Sequence, residues 1–365
     1  MASAWVPTFM RSGAVPPRSA SVRPLSPPPS GPCTASARPE TTLERPSCTP
    51  RLSGYAFQNN RGNRPMIVVF GSLGVDLVTN VSHIPHPGET VLCEGYFMVP
   101  GGKGANQAVS AARAGSKTAI IGSRGNDGFA DLALSVMREA GVDVAPVLPV
   151  DKPTCVALIT VDEKAENAIV VASGANQATR AQQLETFDLA KGDIVLLQRE
   201  IRDSENFAAI KHAKSRGARI VFNVAPAGPL PEEILRLVDD LVVNEHEALV
   251  VARAAGIETA DPIEAARLIN ERFGCAGIVT LGAEGVVGWS NGTRYAAPAL
   301  KVTPVDTTAA GDSFTGAYAA ALDQGLGLEV ALARGAASGS LACTRPGAQS
   351  SIPTKAEIDD AMRAS

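Results

Sequence analysis

The chain has 365 residues, room for one large domain or two ordinary ones, and a formal charge of −4 from 33 Lys and Arg against 37 Asp and Glu. So slight a charge, without like-charge blocks, argues against a nucleic-acid surface, and no uninterrupted apolar run approaches the ~18 residues that a membrane span needs. With 45% apolar residues, 34 glycines and few aromatics, the composition is that of an α/β protein handling a small polar ligand.

Residues 1–64 differ from everything after them. They are rich in Ser, Pro, Arg and Ala, have no acidic residue before Glu40 and contain no lysine. Such a composition cannot bury a core, and it matches an organellar transit peptide, with a chloroplast favoured over a mitochondrion and a cytosolic tail as the alternative. Up to Arg51 the segment carries six Arg against Glu40 and Glu44, so its loss would take the remainder from −4 to −8. The cysteines, Cys33, Cys48, Cys93, Cys155, Cys275 and Cys343, form no C-x-x-C pair and read as free thiols of a reducing compartment. The histidines form no metal-binding pattern, so no transition metal is expected.

Order is expected from residue 65 onward. Met66–Phe70 is a short apolar run ending at Gly71, the pattern of a buried strand in a parallel sheet. Asp76 follows beyond its end, where an acid can meet a sugar hydroxyl or simply serve a turn. Glu89 to Val99 alternates like a strand exposed on one face. It leads into Gly101-Gly102-Lys103-Gly104-Ala105-Asn106-Gln107 and then a small-residue helix stopped by Gly115. Glycines around Lys103 bring backbone close to a ligand, while Lys103 and Asn106 offer donors to hydroxyls or phosphate; a tight turn before a helix is the plainer reading. The stretch is not a Walker A loop, because Gly104 stands where a Ser or Thr would hold magnesium.

Strand-like and helix-like segments then alternate. Thr118–Gly122, Asp193–Leu197, Arg219–Asn223, Leu241–Val243 and Gly277–Thr280 read as buried strands. Ser204–Ser215, Pro231–Leu237 and Pro262–Phe273 read as helices. Thr154–Val161 and Asn167–Ala172 break this doubly wound pattern as a hairpin. With the stretch around Thr79 and Glu89–Val99 they make a small sheet expected to act as a lid. Glu200, Asn223, Asn244 with Glu247, and Thr280 with Gly282 and Gly285 all fall at the same end of the inferred sheet, as ligand contacts or as caps and turns.

The last motif, Val305 to Leu322, passes from acid and hydroxyls through Ala309-Ala310-Gly311 to Asp312 and then into small helix-forming residues. The first amides of a helix lack internal partners, so Ala309 to Asp312 can aim N–H donors at an anion. An acid beside such a site suits a general base, although Asp312 or Ser313 can equally cap the helix.

PGGKGANQAVSAARAG (Pro100 to Gly115) and VDTTAAGDSFTGAY (Val305 to Tyr318), with NEHEA and TRPGAQSSIP, resemble the ribokinase group of PfkB-type sugar kinases over Met66 to Ser365. The resemblance implies a doubly wound, mostly parallel sheet flanked by helices, spanning 65–365, with lid strands from about 76–100 and 154–173. It also implies transfer of phosphate from ATP to O5 of D-ribose, with Mg²⁺ and an activating potassium-type ion; another PfkB-type sugar or nucleoside kinase, or a non-catalytic interaction protein of the same fold, is the alternative. Asp312 would be the base and the amides of Ala309, Ala310 and Gly311 the anion hole. Asp76, Gly102, Lys103, Asn106 and Glu200 match sugar contacts. Asn244, Thr280, Gly282 and Gly285 match nucleotide contacts, and Glu247 a contact to magnesium through water. Asp306, Thr308, Ala342, Arg345, Gly347 and Ser351 would hold the monovalent ion, and the lid would join two copies as a homodimer. Gly74 departs from the pattern, since the family usually places a ribose-binding Asn there.

Overall fold

The computed structural model describes residues 66–364 except Ala165; the segment 1–64 read as a transit peptide lies outside the described residues. The strands are β1 (Ile67–Phe70), β2 (Gly74–Asn80), β3 (Tyr96–Gly101), β4 (Thr118–Arg124), β5 (Val147–Pro149), β6 (Cys155–Val161), β7 (Asn167–Ala172), β8 (Ile194–Leu197), β9 (Arg219–Asn223), β10 (Asp240–Asn244), β11 (Ala276–Thr280), β12 (Val286–Ser290) and β13 (Thr293–Ala297). The helices are α1 (Lys103–Arg113), α2 (Phe129–Glu139), α3 (Ala181–Glu185), α4 (Asp203–Ser215), α5 (Glu232–Leu235), α6 (Glu245–Ala254), α7 (Pro262–Phe273), α8 (Ala310–Asp323), α9 (Gly327–Ala342) and α10 (Lys355–Ala364).

Nine strands form one sheet in the order β13-β12-β11-β10-β9-β8-β1-β4-β5. All pairings from β5 across to β11 are parallel, and β12 and β13 close the edge as an antiparallel hairpin. Burial of both faces explains the unbroken apolar runs. In β1, Val68 and Phe70 point into a core with Leu184, Ile210 and Phe222 under α3 to α7. Ile67 and Val69 point the other way, into a core with Ala105, Val109 and Phe314 under α1, α2 and α8 to α10. Each such side chain taken from water contributes about 1.5–3 kcal/mol, so β1 anchors both layers at once.

The chain leaves β1 toward β4 on one side and returns to β8 on the other, so β1 and β8 flank the point where strand order reverses. In open sheets of this kind the crevice for ligands lies beyond the carboxyl ends of the strands at that point. Gly71 and Ser72 after β1, Gln198 and Glu200 after β8, and Asn223, Asn244 and Thr280 ending β9, β10 and β11 all lie there.

A second, smaller sheet, β3-β2-β6-β7, is built from the segments expected to form a lid. Its β6–β7 hairpin matches the sequence reading. The strand expected over Glu89–Val99 begins only at Tyr96 and runs on to Gly101, because its partner β2 supplies pairing only from Gly74↔Gly101 to Thr79↔Tyr96. Residues 89–95 therefore have no ladder to join. Val147–Pro149 and the β12–β13 hairpin add strands beyond those that the sequence pattern marks. At the hairpin, Asn291 and Gly292 adopt positive φ (49° and 74°), the geometry that Asn-Gly turns favour.

Candidate active site

Two loops and two helix starts converge on the crevice. Gly102 has φ of 93°, and a Cβ there would lie 2.8 Å from the Leu73 backbone, so only glycine lets the chain turn from β3 into α1. No side chain at Gly102 caps α1. The acceptor comes instead from across the sheet: Glu200 Oε2 receives the Lys103 N–H at 2.9 Å and the Ser72 hydroxyl at 2.7 Å. Ser72 Oγ in turn accepts from the Gly104 N–H at 3.1 Å. Glu200 thereby fixes the glycine loop with one oxygen and leaves the other for a ligand.

Helices α1 and α8 approach closely at Gly316, where a Cβ would sit 2.5 Å from the Gln107 carbonyl and 2.4 Å from Ser110 Cβ. Ser110 Oγ seals the contact by donating to Ser313 O at 2.7 Å. One turn earlier on α8 this proximity lets two α1 side chains reach Asp312. Asn106 Nδ2 donates to Oδ2 and Gln107 Nε2 to Oδ1, each at 2.9 Å. Asp312 is 6% exposed and faces a cavity of about 210 Å³ shared with Lys103, Asn223, Glu247 and Gly311.

Ahead of Asp312, Ala309 takes the left-handed conformation (φ 60°) as N-cap of α8, and no side chain caps that helix. A left-handed non-glycine residue costs on the order of 1–2 kcal/mol, a strain typical of functional turns. The Ala310 N–H is turned onto Thr307 O at 3.2 Å, so the donor expected from Ala310 is occupied by the protein. The N–H groups of Ala309, Gly311 and Asp312 have no protein acceptor among the described residues.

Charge is concentrated here. Lys103 is surrounded by Asp312, Glu200, Glu247 and Asp76, and their fields, that of Asp312 above all, raise its pKa despite burial. Burial and the neighbouring Glu200 push Asp76 up to about 6, against which Lys103 acts only in part. The Asp76 carboxylate fills the space a side chain at Gly101 would need, 2.4 Å from a built Cβ. Asn106 Oδ1 is buried with no hydrogen-bond partner, a polar atom left over for a ligand.

The end of the cavity at α6 is more self-satisfied. Asn244 and Glu247 form a reciprocal capping box on α6, with Glu247 N donating to Asn244 Oδ1 at 2.8 Å and Asn244 N to Glu247 Oε2 at 2.9 Å. Both still line the cavity, and burial raises the Glu247 pKa. Thr280 lines it too, whereas Gly282 and Gly285 do not. They build the turn after β11, where Gly285 lies so near Ala297 O that a Cβ would be 2.2 Å from it.

Asp306 joins two segments, its oxygens accepting from Thr308 N at 2.8 Å and Gly347 N at 2.9 Å. Burial opposes its charge, but those hydrogen bonds prevail and hold it below the usual carboxylate range. Ala342 O instead receives the Arg345 N–H at 3.5 Å, and the Ser351 hydroxyl donates to Ala348 O at 2.9 Å.

At Gly74 the missing side chain has a local cause. A Cβ there would lie 2.6 Å from Cys155 O and 2.9 Å from Cys155 Cβ, its register partner on β6. Sequence reading passed over two contacts: Ser72 as the link between Glu200 and the glycine loop, and Gln107 as a partner of Asp312. Gln107 sits beside Asn106 in the same motif, which was the available signal.

Residues 64–355 match the model of the pfkB family carbohydrate kinases. A ribokinase of Haemophilus influenzae is 36% identical over 300 residues, 80% of this chain and 97% of the relative. A ribokinase structure from Thermotoga maritima superposes with a TM-score of 0.73 at 35% identity, covering 82% of this chain and 99% of the other. An Arabidopsis thaliana ribokinase complexed with ribose and ATP gives 0.74 at 30% identity, over 83% and 100% of the two chains. The chain is a member of the pfkB family of carbohydrate kinases.

Proposed function

We propose that the protein transfers the γ-phosphoryl group of ATP to the 5-hydroxyl of D-ribose, giving ribose 5-phosphate and ADP. The observation that carries this reading is the Asp312 carboxylate, fixed by two amides beside the uncapped start of α8. Asp312 accepts the proton of the attacking hydroxyl. The open N–H groups of Ala309, Gly311 and Asp312 receive charge spreading over the equatorial oxygens, and Lys103 adds a full positive charge nearby. Phosphoryl transfer asks for little else than in-line positioning and such stabilisation.

The sugar end is assigned to Asp76, Gly102, Lys103, Asn106 and the free oxygen of Glu200, with the unpartnered Asn106 Oδ1 ready for a hydroxyl. Asn244, Thr280 and the turn at Gly282 and Gly285 are assigned to the nucleotide. Mg²⁺ bound with ATP would neutralise the phosphates. Glu247 suits it, since only one of its oxygens is engaged in capping and it lines the cavity. Asp306 with the carbonyls of Thr308, Ala342, Arg345 and Gly347 and the Ser351 hydroxyl would hold a potassium-type ion. Supporting this, Asp306 stays charged and ties the loop before Ala309 to Gly347.

The lid exposes Tyr96, Phe97, Ile169, Val170 and Val171, all at least half exposed, and a second copy covering them would make a homodimer. The Arg-rich, Lys-free composition of 1–64 supports import into a chloroplast with removal of that segment.

The test is ADP release by purified protein with ATP, Mg²⁺ and a panel of pentoses, hexoses and nucleosides. Ribose should give the highest kcat/KM. A markedly better acceptor would leave the phosphotransfer standing and replace the sugar, as the missing side chain at Gly74 makes worth testing.

A further inference from the structure

Gln107 is fully buried, and beyond being one of the two amides that hold Asp312 it has no assigned part in the chemistry. One Nε2 proton goes to Asp312 Oδ1 at 2.9 Å and the other to Asn223 Oδ1 at 3.1 Å, while Oε1 accepts from Gln198 Nε2 at 2.7 Å. A flipped amide would set Oε1 against the Asp312 carboxylate and Nε2 against the Gln198 donor, so the network allows one orientation. Gln198 is itself buried. Its side chain occupies the space beside Gly71, where a Cβ would lie 2.0 Å from Gln198 Oε1, and its carbonyl is held by Asn206 Nδ2 at 2.7 Å.

We infer that Gln107, braced by Gln198, is a positioning residue that sets the rotation of the Asp312 carboxylate toward the sugar hydroxyl, an inference that rests on Asp312 being the base. Asn106 alone holds only Oδ2, and a carboxylate fixed at one oxygen can still swing about that bond. The second donor, from the next residue of the same helix, removes that freedom. Its contribution therefore falls on the chemical step and not on the affinity for sugar or ATP, from which it is shielded.

The test measures kcat, both KM values and thermal unfolding for Gln107→Leu and Gln107→Glu. Gln107→Leu removes the hydrogen bond to the charged Asp312 together with those to Asn223 and Gln198, and kcat should fall by about 10- to 100-fold with both KM values within about threefold of wild type. Gln107→Glu keeps the shape and the acceptor for Gln198, but it can donate to Asp312 only when protonated. Its kcat relative to wild type should rise steadily as pH falls from 8.5 to 6, a response that mere loss of packing does not give. If the leucine variant does not fold, that pH-dependent ratio decides alone. A kcat within twofold of wild type for the folded variants, with Asp312→Asn inactive, overturns the positioning role and leaves the base. Full activity of Asp312→Asn overturns both.

Discussion

Asp76 provides a prediction with opposite signs for activity and stability. Burial and Glu200 bring its pKa up to about 6 from the ordinary 3.8, so the proton is lost late. To accept hydroxyls from ribose at full strength it must be ionised. With a midpoint near 6, the ionised fraction falls from nearly all at pH 7.5 to about a tenth at pH 5, so kcat/KM for ribose should drop about tenfold over that range. Stability runs the other way. A raised native pKa means the folded chain binds the proton more tightly than the unfolded one, so the Asp76 contribution grows as pH falls through 6 and is complete below the unfolded value of 3.8. The gap between the two values is worth on the order of 3 kcal/mol, and Asp76→Asn should recover part of it near pH 7.5 as a higher unfolding midpoint. The assay is initial rate at subsaturating ribose from pH 5 to 8, beside calorimetric unfolding of wild type and Asp76→Asn. A flat kcat/KM profile, or an acid limb unchanged in Asp76→Asn, would show that ribose binding does not depend on Asp76 ionising.

Three further outcomes follow from the geometry. Lys103→Ala should raise the ribose KM about tenfold or more, since it removes a charged donor from the sugar end, and an effect confined to the ATP KM would reassign the residue. Gly316→Ala places a methyl group 2.4 Å from Ser110 Cβ, so calorimetry should show a loss of about 1–3 kcal/mol and the same enzyme a reduced kcat, because the α1 donors move off Asp312. An unchanged kcat would show that the α1–α8 spacing does not matter to the base. Val170→Asp, on the exposed lid face, should give a monomer by sedimentation where the wild type gives a dimer; a monomeric wild type would remove the proposed interface.

The parallel strands were legible because burial on both faces leaves an unmixed apolar signal, as at Ile67–Phe70 and Arg219–Asn223. Val147–Pro149 is too short to carry a period, and Gly288 interrupts β12 where the backbone meets Leu332, masking a hairpin that Asn291-Gly292 announces. In the site, residue types at strand ends were readable, but their partners were not. Asp312 meets Asn106 and Gln107 across more than two hundred residues, and only the packing of α1 on α8 decides which amide reaches which oxygen. The same holds for Ala310, whose N–H is engaged by Thr307 O in a turn that composition alone does not reveal.

On the proposed reading, Asp312 drives transfer of a phosphoryl group from ATP to a sugar hydroxyl. The most direct test is single turnover with ribose and ATP labelled in the γ-phosphate, using wild type and Asp312→Asn, with binding of both substrates measured separately. In the wild type the labelled phosphate should appear on O5 of ribose, and in the variant binding should be retained with transfer slowed by at least ~10²-fold. Label released as inorganic phosphate by the wild type, or transfer to ribose by Asp312→Asn at a comparable rate, would contradict it.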